Sequence, residues 1–130
     1  MTNNVDIETK VIERFVIKTK QERYKTFIQS EKGRKKFIDD LHHMNFVDLN
    51  VLDKVESNEY DTIKAKIKNL GKINECYVIS ENKNIDQKRL DIDKALRETI
   101  GADLGTILVF GDAEVVYIEA EGFKNRWLSK

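Results

Sequence analysis

The sequence predicts an α+β domain in which N-terminal helices pack on a small, largely antiparallel sheet that includes a C-terminal β-hairpin. Three observations carry this expectation. Apolar residues recur at helical spacing through the first half of the chain. From Cys76 onward they gather into short runs: Cys76-Tyr77-Val78-Ile79, Thr106-Ile107-Leu108-Val109-Phe110 and Val115-Val116-Tyr117-Ile118. The last two runs flank Gly111-Asp112-Ala113-Glu114, a loop short enough for a hairpin. A chain of 130 residues suits a single domain spanning 1–130.

Val5, Val11, Ile12, Phe15 and Val16 fall on one side of a helix over about 5–17. Thr19-Lys20-Gln21-Glu22 has the form of a capping box, opening a second helix over 20–29 with Tyr24, Phe27 and Ile28 inward. Ser30 suits the N-cap of a third helix over 31–43, striped by Phe37, Ile38 and Leu41. Residues 44–58 fit neither period and read as a buried connector with one helical turn. Ser57 or Asn58 would cap a helix over 59–70 with Ile63, Ile67 and Leu70 as its core stripe, and Gly71 would end it in the left-handed region. A polar loop over 81–89 follows the first strand, and Asp91 caps a short helix over 92–100 that Gly101 ends. The run at 106–110 suits a strand covered on both faces. The tail from Phe123 to Leu128, with Trp127, is expected to pack back on the domain. The sheet thus has at least three strands.

Proline is absent, which excludes PxxP ligands and proline-rich linkers. The start, Met1-Thr2-Asn3-Asn4-Val5-Asp6, lacks the pattern of a signal peptide, and no apolar run approaches the ~20 residues of a membrane span. The lone Cys76 cannot close an internal disulfide. These features point to the cytoplasm and to no membrane partner.

The net charge of zero conceals two blocks. Residues 18–36 hold eight basic side chains, Lys18, Lys20, Arg23, Lys25, Lys32, Arg34, Lys35 and Lys36, against two acidic ones. Residues 75–121 hold eleven acidic against five basic. Such a dipole speaks to association more than to chemistry. The basic segment is the candidate binding surface, and Tyr24 and Phe27 interleave it as nucleic-acid stacking would require. The bland alternative is a solvated face over a core that contains both rings.

Other constellations are weaker. Asp39, Asp40, His42 and His43 offer i,i+3 and i,i+4 pairs that chelate metals. Adjacent histidines on a helix point about 100° apart, however, and cations suit a helix C-terminus without any metal. Cys76 on a buried strand reads as a small apolar residue. Glu81, Asp86, Asp91 and Asp93 surround one loop, and Asp112, Glu114, Glu119 and Glu121 decorate the hairpin, where capping and turn roles explain several. No phosphate loop, calcium loop or catalytic triad is evident, so no catalytic, metal or cofactor residue is assigned and no cofactor is expected.

Arg23-Tyr24-Lys25-Thr26-Phe27 followed by Gly33-Arg34-Lys35-Lys36-Phe37, then Cys76-Tyr77-Val78-Ile79-Ser80-Glu81, then Gly105-Thr106-Ile107-Leu108, resemble a small family of uncharacterised bacterial proteins. The resemblance covers roughly residues 18–121 and implies no activity. The loop Gly111-Asp112-Ala113-Glu114 is more acidic than the family form. The expected function is a non-enzymatic cytoplasmic bacterial protein that recognises a partner protein through charged surfaces and self-associates as a homodimer. The alternative is a nucleic-acid-associated protein binding phosphates through segment 18–36.

Overall fold

Two sets of amphipathic helices and a sheet that is apolar on both sides decide the architecture. The computed structural model describes residues 4–71, 74–121 and 125–130 and shows an α+β fold. Helices α1 (Asn4–Phe15), α2 (Gln21–Phe27) and α3 (Glu31–Asp40) cover one face of a six-stranded sheet. Helices α4 (Tyr60–Lys68) and α5 (Ile92–Thr99) cover the other. The strands are β1 (Leu52–Lys54), β2 (Glu75–Ser80), β3 (Arg89–Asp91), β4 (Thr106–Phe110), β5 (Val115–Glu119) and β6 (Arg126–Ser129). Their order is β1-β6-β5-β4-β2-β3, and every neighbouring pair is antiparallel.

Strand periodicity divides the core. Tyr77, Ile79, Ile107, Val109, Val116 and Ile118 face α1–α3, where Ile12, Phe37 and Leu41 are fully buried. Cys76, Val78, Leu108, Phe110 and Tyr117 face α4 and α5, against Ile63, Ile67, Ala95 and Leu96. Both faces are covered, so the central strands read as continuous apolar runs.

The caps at Ser30 and Asp91 form as expected. Ser30 Oγ accepts from the Gly33 amide at 3.1 Å, and Asp91 Oδ1 accepts from the Lys94 amide at 2.8 Å. Gly101 and Gly111 adopt φ of 77° and 63°, the left-handed conformation their turns require.

Other expectations are corrected. Thr19 lies in a 3-10 turn over Lys18–Lys20, so the capping box does not form and α2 has no side-chain cap. Helix α1 ends at Phe15 because Val16 bridges to Val47. Helix α3 ends at Asp40, and residues 41–46 form turns that include Met44 at φ 52°. Ser57 Oγ accepts from the Glu59 amide just before α4, whose N-cap Glu59 makes no side-chain cap bond. Leu70 is 41% exposed, outside the stripe of Ile63 and Ile67. The connector over 44–58 holds β1 as well as a 3-10 turn, and the loop over 81–89 runs into β3. Each of these strands has three residues, too few for alternation to show. β6 supplies the packing expected of the tail, with Trp127 half-buried against the first core. Phe123, and Met1, Thr2 and Asn3 of the leader reading, lie outside the described residues.

Each face of the sheet also buries an ion cluster. On the α1–α3 side Glu8 is 1% exposed and receives Arg34 Nε at 3.0 Å, Arg34 Nη2 at 2.8 Å and the Tyr77 hydroxyl at 2.6 Å. The same guanidinium donates to Asp86 at 2.5 and 2.9 Å, and Asp86 Oδ1 accepts from the Ser80 amide. On the other side Ser80, Thr106, Glu119 and Arg126 form a cross-strand row through β2, β4, β5 and β6. Tyr117 donates to Glu119 Oε2 at 2.6 Å, and Arg126 Nε lies 3.3 Å from that oxygen. Burial, then the facing carboxylates, push both tyrosine hydroxyls far above their usual range.

Candidate functional site

The basic segment divides into inward and outward residues. The Phe27 carbonyl packs so close to α3 that a Cβ at Gly33 would lie 2.4 Å from its oxygen. This close approach sets α2 beside α3 and brings Arg23 and Lys36 over the Phe27 ring, 5.5 and 5.6 Å from its centroid. Phe27 is half-buried and meets Tyr24 edge-on at 5.7 Å. Lys32 lies one helical turn before Lys36, and Lys35 is exposed beside it. Lys18 and Lys20 occupy the 3-10 turn that enters α2. Among the described residues, no carboxylate pairs with Arg23, Lys32, Lys35 or Lys36.

Arg34 and Lys25 do not share this face. Lys25 lies 3.2 Å from Glu13 and 3.5 Å from Glu22, and the bond to Glu13 raises its pKa. Arg34 turns inward to Glu8 and Asp86; burial opposes its charge, but the bonds to Asp86 and Glu8 outweigh that cost. Of these pairs, Arg34 with Asp86 joins the basic block to the acidic block of the sequence. Reversing the charge of Arg34 would test the fold and not the surface.

The histidines occupy a different setting from the helix end that their spacing suggests. They lie in the turns after α3, so the helical divergence of adjacent side chains does not apply. Their ring centroids are 4.8 Å apart. The carboxylates that meet them come from Glu81 after β2 and Glu121 after β5, not from Asp39 and Asp40. Asp40 instead accepts from the Tyr24 hydroxyl at 2.8 Å, and burial together with this bond pushes Tyr24 up to about 12. His42 Nε2 contacts Glu121, and His42 Nδ1 lies 3.4 Å from Glu81 Oε1. Two backbone bonds fix the frame: the Gly105 amide donates to Glu81 Oε1 at 2.6 Å, and the Glu121 amide donates to the His42 carbonyl at 3.1 Å. A Cβ on Gly105 would meet the Leu41 carbonyl oxygen at 2.2 Å, so only glycine lets the histidine turn sit against the sheet end. Sequence spacing cannot find this cluster, because its members lie 39 to 79 positions apart along the chain, between His42, Glu81 and Glu121.

The remaining candidates have structural employment. Cys76 is buried, and burial pushes its thiol up to about 12, which disfavours the thiolate. Asp93 joins α5 to α4, accepting from Tyr60 and from Lys64 at 2.6 Å, and these bonds lower its pKa. Asp112 pairs with Lys10 at 2.5 Å on the exposed surface. A cleft of about 440 Å³ between α3 and residues 80–87 is lined by both signs of charge, including Lys35, Lys83, Asp39 and Glu81.

No protein-family model, no curated protein and no solved structure matches the chain. Among the described residues no helix is long and apolar enough to cross a membrane.

Proposed function

We propose that the protein is a non-enzymatic recognition module of the bacterial cytoplasm that binds an acidic segment of a partner protein through the α2–α3 face. One observation carries the reading: Arg23 and Lys36 converge on the half-buried Phe27 ring, and among the described residues no carboxylate forms an ion pair with either. Unpaired cations around an aromatic ring offer charge and apolar area together, a combination enriched in protein interfaces. Lys32 and Lys35 extend the positive potential along α3 and would speed encounter with an acidic partner. The same cations could neutralise phosphates, which keeps nucleic acid as the second reading. Stacking needs an open ring face, however, and Phe27 is half-buried under Arg23 and Lys36. Self-association through a sheet edge has less support, since β1 and β3 are three-residue strands carrying Asp53, Lys54, Arg89 and Asp91.

The test compares two labelled probes of equal charge, a glutamate-rich peptide containing one tryptophan and a single-stranded oligonucleotide, by fluorescence anisotropy at physiological salt. The peptide is expected to bind more tightly, and the double reversal Arg23→Glu, Lys36→Glu to abolish that binding with the fold intact by circular dichroism. The oligonucleotide is expected to stay near the weak non-specific range of ~10⁻⁴ M. Tight, salt-sensitive oligonucleotide binding that the double reversal removes would put the nucleic-acid reading first.

A further inference from the structure

We propose that His42, His43 and Glu121 form a site for a divalent transition-metal ion of the zinc type, with Glu81 orienting His42 from the outer shell. The inference is independent of the α2–α3 face. One ring nitrogen from each histidine and one Glu121 oxygen lie within 4.8 Å of one another. Among the described residues this is the one such group of three or more His, Cys, Asp or Glu side chains. Two imidazoles and one carboxylate make a donor set that suits zinc and its neighbours, while magnesium and calcium take oxygen ligands.

The surroundings of His42 give the second observation. Both ring nitrogens face carboxylates, Nε2 toward Glu121 and Nδ1 toward Glu81. A neutral imidazole has one N–H, so it satisfies one carboxylate and turns a lone pair toward the other. An ion ligated by both Nε2 and Glu121, once the two part from direct contact, removes that conflict. The Nδ1–H then points at Glu81, the carboxylate–histidine–metal arrangement that fixes tautomer and ring orientation. Glu81 is held in turn by the Gly105 amide. His42 and Glu121 are 38% and 41% exposed, so an ion can enter and remaining coordination positions are open to water. Ligands from the turn after α3 and from the segment just past β5 mean that the ion would clamp this turn to the sheet end.

The competing resolution is a proton: an imidazolium between Glu81 and Glu121 that needs no ion. The experiment separates the two using Zn²⁺ and Co²⁺ added to the chelator-treated full chain. Calorimetry is expected to show one Zn²⁺ per chain, and Co²⁺ to give a visible absorption band that Zn²⁺ bleaches. His43→Gln and Glu121→Gln should each remove both signals while circular dichroism stays unchanged; His43 is exposed, so its replacement is safe for the fold. Glu81→Gln should keep the stoichiometry but weaken affinity about 10–100-fold. Absence of saturable Zn²⁺ binding would overturn the proposal in favour of the proton. So would Zn²⁺ binding that survives both His43→Gln and Glu121→Gln, or that Mg²⁺ displaces.

Discussion

The two faces of the sheet solve one problem in different ways. Each buries a carboxylate, an arginine and a tyrosine in an apolar layer. On the α1–α3 side the arginine is central: Arg34 holds two carboxylates, from α1 and from the segment after β2. On the α4–α5 side the carboxylate is central: Glu119 gathers Tyr117, Arg126 and the Gly101 amide, and Arg126 Nε has no hydrogen-bond partner among the described residues. The first cluster joins elements distant in sequence; the second reinforces neighbouring strands that are already paired. A buried ion cluster can therefore act as a tertiary tie or as a local brace, and the hub residue tells which.

Exchanging the hubs gives the largest expected effect. Arg34→Ala takes the charge partner from two carboxylates at once, leaving Glu8 the Tyr77 hydroxyl and Asp86 the Ser80 amide, and is expected to cost about 3–5 kcal/mol. Arg126→Ala orphans only Glu119, which keeps the Tyr117 hydroxyl, so its cost should fall below that range. Urea midpoints of the two variants check the order, and equal losses would erase the distinction between tie and brace.

Alkaline pH probes the two layers next. Cys76 rises from 9.0 to about 12 on the α4–α5 side, and Tyr24 from 10.0 to about 12 on the other. In both cases the neutral acid is the buried form. The unfolded chain thus gives up its proton first, and ionisation favours unfolding. The stability each neutral group protects is complete below its unfolded pKa and is lost as pH rises through the folded value. Loss should begin near pH 9 through Cys76 and near pH 10 through Tyr24, with up to ~1.4 kcal/mol per pH unit from each group. Urea midpoints between pH 8 and pH 11 are expected to fall less steeply in Cys76→Ala than in the native chain. Parallel slopes would refute the assignment.

The smallest effect reverses the order of the faces. In Tyr77→Phe, Glu8 keeps three Arg34 bonds, so the loss should be about 1 kcal/mol. In Tyr117→Phe, Glu119 keeps only the Gly101 amide at 3.4 Å and the Arg126 charge, and the loss should approach ~3 kcal/mol. A larger loss at Tyr77 than at Tyr117 would contradict the hub assignment.

The legible part of this molecule is the part written in short-range pattern. The stripes of α1 and α5, the caps Ser30 and Asp91, and the hairpin of β4 and β5 each need fewer than 15 consecutive residues to be seen. β1 and β3 were not legible, because three residues specify no period and their pairing to β6 and β2 supplies the order. Long-range closure hid the sites. Arg34 is indistinguishable in sequence from Lys35 and Lys36, yet one turn geometry sends it inward to Glu8 while its neighbours remain exposed. His42 and His43 looked like a helix end because Met44, with its left-handed backbone, carries no sequence mark for stopping a helix. Gly105 shows its part only in the structure, where its missing side chain makes room for the Leu41 carbonyl.

The span of the Arg34 tie has a consequence for how the protein is made. Its partners sit at positions 8 and 86, and apart from the three-residue β1, whose partner β6 comes last, the strands that cover α1–α3 begin at Glu75 and end at Ser129. A chain emerging from the ribosome therefore exposes the inner sides of Ile12, Phe37 and Leu41 before the central strands exist to receive them. At synthesis speeds of about 5–20 residues per second, the interval lasts seconds. Amide exchange on chains stalled before Glu75 is expected to find α1–α3 unprotected, and release of the C-terminal strands to close them at once. The nascent first half is thus the stretch of this chain's life in which a chaperone has most to hold.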